Sequence, residues 1–199
     1  DSGLAKIWGR VVETGAPSMQ DFEPYAPSGN KPASFFGAPI EVAGEVVGVI
    51  AMQVSLAEID AIMQERSGMG QTGETFLVGP DKRMRSDSYH SPTTHSVEAS
   101  FRGTVRANGL DTVASRGAIA GQSGIKNIID YRGVPVLASF GPVDLPGDLG
   151  WGIIAKIDRA EVEAPAVQLR NTALLIGLLV AGLSVALAVW FSATMSRPI

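Results

Sequence analysis

Cysteine is absent from the 199 residues. Its absence excludes a disulfide scaffold, a zinc–cysteine site, an iron–sulfur centre and a cysteine nucleophile, and it suits an exported bacterial segment. Runs of Lys or Arg are absent too. Sixteen basic against twenty acidic residues give a net charge of -4, which offers nucleic acid no electrostatic footprint. The last 29 residues hold a single charged residue, Arg197, and residues 171–196 hold none. Apolar residues are not scarce. At 45% of the chain they suffice for a folded core and exclude intrinsic disorder.

The uncharged stretch of 26 residues would run about 39 Å as a helix, where a bilayer needs about 20 apolar residues. Arg170 and Arg197 flank it, and Trp190 and Phe191 stand near its C-terminal end as interfacial aromatics do. The pattern predicts a transmembrane helix over 173–194, preceded by a juxtamembrane helix over 159–172. Its C-terminal position excludes a signal peptide. One Arg on each side leaves the positive-inside rule nothing to compare. Gly177-x-x-x-Ala181 and Gly182-x-x-x-Ala186 permit close helix approach and point to a homodimer.

The remainder contains an internal repeat. At an offset of 103, residues 38–59 align with 141–162 without a gap, with five identities and seven conservative pairs in 22 positions. Each copy reads as a hairpin running into a helix. Ala43-Gly44-Glu45 and Pro146-Gly147-Asp148 are the turns, and 46–54 and 151–157 the last strands. Ser55-x-x-Glu58 and Asp158-x-x-Glu161 are the capping boxes that start the helices. The fold class this predicts is α+β, two similar modules with antiparallel sheets in series, the second joined to the bilayer. Residues 1–54 are expected to supply one helix (2–14), a Pro-rich loop and only the final hairpin, so the first module is incomplete. Residues 55–73 connect the modules through a helix and a Gly-rich loop. Residues 74–158 form the second module: five strands, including one over 83–87, with helices near 96–102 and 110–119 inserted after the second.

Gly68-Met-Gly70-Gln-Thr-Gly73 matches G-x-G-x-x-G literally, but it follows a helix and precedes a strand, the reverse of a dinucleotide site. Asp87, His90 and His95 have no metal-motif spacing. No G-x-S-x-G elbow exists, and no other catalytic constellation emerges. No cofactor is expected. Candidate ligand contacts gather instead at strand ends and turns bordering the helical insertion. Phe76, Tyr89, Tyr131 and Phe140 can supply aromatic walls. Arg83, Arg85, Asp87, Asp130 and Arg132 can orient a carboxylate or amine. Trp8, Asp21, Phe22 and Tyr25 are the corresponding candidates in the first module.

Several stretches resemble double Cache domains, the PAS-like extracytoplasmic sensors of bacterial chemoreceptors, sensor histidine kinases and membrane cyclases. They are Asp21-Phe-Glu-Pro-Tyr25, Gly48-Val-Ile-Ala51, Gly70–Asp81 with Met84-Arg-Ser-Asp87, Asp130-Tyr-Arg-Gly133, and Lys156-Ile-Asp158. Ser196-Arg-Pro-Ile199 resembles the opening of a HAMP linker, read here over 195–199. The resemblance implies tandem PAS-like modules, 1–54 distal and 74–158 proximal, with residues 1–170 outside a bacterial inner membrane and the C-terminus cytoplasmic. It also implies an earlier span and a longer N-terminal helix. The expected function is small-molecule sensing by a methyl-accepting chemoreceptor, with ligand bound directly or through a periplasmic binding protein. A histidine kinase or cyclase sensor is the near alternative; a C-terminally anchored enzyme or structural ectodomain is the distant one. The family's amino-acid signature is missing, and Gln53 stands where many relatives carry Asp.

Overall fold

The computed structural model describes residues 2–147 and 149–195. The expected HAMP opening at 196–199 lies outside the described residues, as does Asp148 of the second turn.

Helix α1 (Gly3–Thr14) begins where the Ser2 side chain accepts the Ala5 N–H, and ends at Gly15 in the left-handed conformation. Ile7 and Val11, one turn apart, are fully buried against Ala33 and Phe35. They cover a three-stranded antiparallel sheet of β1 (Ser18–Tyr25), β2 (Lys31–Val42) and β3 (Glu45–Gln53), in that order. Ala43 and Gly44, both left-handed, make the two-residue turn of the β2–β3 hairpin. Strand β1 corrects the expected Pro-rich loop. It is an edge strand, so Pro24 removes no ladder bond the sheet requires. A register shift between Gln20 and Glu23 also breaks the alternation by which the strand would be legible.

Helix α2 (Leu56–Met63) is capped by Ser55, which accepts the Glu58 N–H at 3.3 Å. The loop after it is gathered by Arg66, which donates to the carbonyls of Gly70, Gln71 and Gly73. The second sheet has four antiparallel strands, β4 (Glu74–Val78), β7 (Gly152–Asp158), β6 (Pro135–Pro142) and β5 (Gly124–Ile129), in that order. Between β4 and β5 lie α3 (Val97–Arg102), α4 (Val105–Asn108) and α5 (Val113–Ile119).

The expected strand over 83–87 is reduced to one bridge, Val78 to Met84. Leu77 donates its N–H to the Ser86 hydroxyl, so a side chain takes the place of a ladder carbonyl. Alternate residues of β6 and β7 (Val136, Ala138, Phe140, Ile154) are buried with Ala114 and Ala118 of α5. Gly152 lets α5 approach: a Cβ there would stand 2.5 Å from that of Ala118.

Asp158 Oδ1 accepts Arg132 Nη2 at 2.5 Å. The chain then continues as α6 (Arg159–Met195), 37 residues with a mean hydropathy of 2.5 in its most apolar window, long and apolar enough to cross a membrane. Pro165 lies inside it and withholds one N–H from the helix ladder. Residues up to Arg159 form one compact unit and Ala160 onward a second.

Candidate functional site

Lys156 occupies an inward position of β7, where alternation would place an apolar side chain. Its ammonium is buried and reaches Glu74 Oε1 at 2.9 Å and Asp130 Oδ2 at 2.5 Å. Glu74 also accepts from the Tyr131 hydroxyl at 2.7 Å and the Ser88 hydroxyl at 2.8 Å. Asp130 accepts the N–H groups of Arg132 and Val134 and the Arg132 Nε at 2.7 Å. Every carboxylate oxygen here has a donor, as buried charge demands.

Burial alone would raise Glu74 and Asp130. Lys156 and the surrounding hydrogen bonds overcome it and hold both carboxyls below their usual range. Burial, with Glu74 adjacent, pushes the Tyr131 phenol up. His95, its ring centre 4.2 Å from that of Tyr131, is lowered by its own burial despite the nearby carboxylates.

This cluster forms part of the wall of a cleft of about 840 Å³. Ile129, Asp130 and Tyr131 line it together with His95, Arg106, Lys82, Asp111 and Thr112. Aromatic surface beside charges of both signs can hold a small polar organic molecule. Among the described residues no group of three or more His, Asp or Glu stands where it could hold a metal ion.

Of the predicted candidates, Asp130 and Tyr131 face this cleft. Phe76 packs edge-to-face behind Tyr131, ring centres 5.8 Å apart, and Phe140 is buried beside Gly117 in the core. Asp87 serves the backbone, accepting the Val97 N–H at the start of α3 while its own N–H goes to Asp60. Tyr89 is half exposed with the Arg66 guanidinium 4.1 Å over its ring. Arg83 lies near Asp81 and the Phe101 ring.

Arg85 and Asp21, predicted as contacts in separate modules, bind each other. Arg85 Nε and Nη2 donate to the two Asp21 oxygens at 2.7 Å each, and Asp81 takes Nη2 at 2.9 Å. Trp151 Nε1 donates to Asp21 at 2.9 Å, and the Trp151 ring stacks on Phe22. The β1 register shift falls at Asp21 and Phe22 and aims them at the second sheet. Gly79 leaves room for the guanidinium, since a Cβ there would lie 2.1 Å from Nη2. Trp8 is exposed on α1, and Tyr25 packs edge-on to Phe35.

Sequence reasoning missed Glu74, Ser88 and Lys156, and weighed His95 only as a metal ligand. A signal existed for one of them: Lys156 sits in phase with Ile154 in an apolar strand, and a lysine there requires a buried acid.

No protein-family model matches this chain, and no curated protein is similar to it. Solved structures are similar. The extracellular domain of the histidine kinase mmHK1S-Z3 superposes with a TM-score of 0.53 at 19% identity, covering 82% of this chain and 57% of its own. The ligand-binding domain of the Pseudomonas fluorescens chemoreceptor CtaA with L-isoleucine gives 0.52 at 16% identity, covering 80% and 60%. That of the Pseudomonas aeruginosa PAO1 amino acid chemoreceptor PctB with L-Arg gives 0.50 at 18%, covering 79% and 61%. The chain thus spans about three fifths of the length of the structures it matches. Two antiparallel sheets in series, joined through Asp21 and Arg85 and followed by a membrane-length helix, have the fold of the ligand-binding domains of chemoreceptors and sensor histidine kinases.

Proposed function

We propose that this chain is the ligand-sensing region and membrane helix of a transmembrane signalling receptor, without catalytic activity of its own. The observation that carries this reading is the wiring of β7. The strand bearing Lys156 and Asp158 passes directly into α6, with no intervening loop. A small molecule favouring one arrangement of the second sheet would thereby bias the helix, by no more than its differential affinity for the two arrangements.

In this reading residues 1–54 belong to a membrane-distal module, 55–73 connect, 74–158 form the proximal module, 159–172 are juxtamembrane and 173–194 span an inner membrane. Residues 1–170 face outward, the receptor is a homodimer, and the output is that of a methyl-accepting chemoreceptor reached through a HAMP linker. A histidine kinase output is the second reading, supported by the likeness to a kinase extracellular domain. That relatives bind L-isoleucine and L-Arg supports a small organic ligand.

The test is a thermal-shift screen of the chain in detergent against amino acids, organic acids, amines and purines. A ligand at 100 times its Kd adds about 2.7 kcal/mol of stability. A saturable shift that Arg106→Ala or His95→Ala weakens supports sensing at the cleft. No shift with any class overturns direct sensing by this chain.

A further inference from the structure

β7 is the only strand of the second sheet, among the described residues, paired on both sides and followed directly by α6. Side chains from elsewhere grip both of its ends. Just before its start, Trp151 is hydrogen-bonded to Asp21. At its last residue, Asp158 accepts Arg132 Nη2 at 2.5 Å, while Nε of the same guanidinium donates to Asp130 at 2.7 Å. Asp130 lines the cleft, and Asp158 is the residue before the first turn of α6. One planar cation therefore bridges a carboxylate on the cleft wall and a carboxylate at the root of the helix.

The bridge is well built for coupling. The Asp130 side chain is 2% exposed, and those of Arg132 and Asp158 about 20%, so water does little to loosen the pairs. Two backbone N–H groups of the β5–β6 turn fix the other oxygen of Asp130. A displacement of Asp130 must therefore move Arg132 with the turn or change how its charge is shared with Asp158. Two nitrogens of a guanidinium fork engage two acids at once with set geometry, which a lysine ammonium on a flexible stem does not reproduce.

We propose that Arg132 is a positioning residue that couples the state of the cleft to the first turn of α6 by bridging Asp130 and Asp158. The role in signalling rests on the sensor reading above; the bridge itself is tested without a ligand. The measurement is hydrogen exchange of the chain in detergent micelles, followed over residues 159–165. Arg132→Met is expected to speed exchange there about tenfold, and Asp130→Asn to do so comparably although it acts from the cleft wall. Arg132→Lys should restore protection in part. Asp130→Asn added to Arg132→Met should change exchange no further, because the path is already cut.

Unchanged exchange over 159–165 in both single variants, with sheet content retained, overturns the bridge. So does a double variant whose fold-change is the product of the two, since Asp130 would then act by another route such as Lys156. If Arg132→Met fails to fold, Arg132→Gln keeps a donor and is held to the same criteria. A coupled bridge together with an empty ligand screen sinks the sensor reading alone; a ligand found together with an uncoupled bridge sinks this inference alone.

Discussion

The two hairpins of the repeat are paired alike and buried differently. Ala38 faces Ile50 and Phe36 faces Met52 in the first; Gly141 faces Ile153 and Ser139 faces Ala155 in the second, the same register displaced by 103. Yet Ala51 and Gln53 are exposed, whereas their counterparts Ile154 and Lys156 are buried. The turn differs too: two residues in the first, but a long connection over 143–151 in the second, which carries Trp151 to Asp21. Local pattern sets pairing and register. Burial depends on the tertiary neighbours: both hairpins carry a helix, α1 on β2 and β3 and α5 on β6 and β7, but β3 is an edge strand whereas β7 lies between β4 and β6.

Matched substitutions should break that symmetry most. Lys156→Met leaves Glu74 a buried carboxylate without its cation and Asp130 with Arg132 alone, and should destabilise by about 3–5 kcal/mol. Gln53→Met, at the aligned and exposed position, should stay within about 0.5 kcal/mol. Denaturant melts in one detergent compare them, and equal losses would abolish the distinction between the hairpins.

Asp21→Asn should have an intermediate effect. It removes the charge that faces Arg85 and replaces one of its two acceptor oxygens by a donor while Asp81 remains on Arg85, a loss of about 1.5–3 kcal/mol. Trp151 emission should shift to the red as its contact with the first sheet loosens. An unshifted spectrum with unchanged stability would mean that the clamp does not join the sheets.

The smallest effect expected is one of pH. Burial pushes Asp60, on the connecting helix, up to about 6 from 3.8. Its stabilisation is fully present below 3.8 and is lost as pH rises through about 6. Glu74 and Asp130 are lowered, so theirs is present above the usual 4.5 and 3.8 and is lost as pH falls through their depressed values. Asp60 should raise Tm between pH 7 and pH 5, opposed by His95, whose buried ring loses stability as pH falls through 6.5, and the two carboxylates lose theirs in stronger acid. Asp60→Asn should abolish the gain and keep the loss; a gain that survives the substitution assigns it to another group.

Much of this architecture is legible in the sequence because it follows from spacing. A charge-free stretch spans a bilayer's thickness, and a repeat at constant offset predicts the register of both hairpins. Short-range capping places the start of α2, where Ser55 accepts a main-chain N–H group. The charged residues were harder to assign. Asp21, Arg85, Asp130 and Arg132 stood out as candidates because turns and strand ends concentrate charge. Whether each met a ligand or another residue depended on partners up to 130 positions away, as for Asp21 and Trp151. Strand β1 stayed hidden because its shift breaks the period and its proline mimics a loop.

The sequence by itself therefore determined the equivalence of the two hairpins and the apolar helix, since hydrophobic period and turn chemistry act over a few residues. Only the tertiary structure decided that Lys156 meets Glu74 and Asp130, that Asp21 clamps Arg85, and that Arg132 joins the cleft to the helix root. A buried charge is tolerated only where opposite charge converges on it, and that convergence is a property of the folded chain.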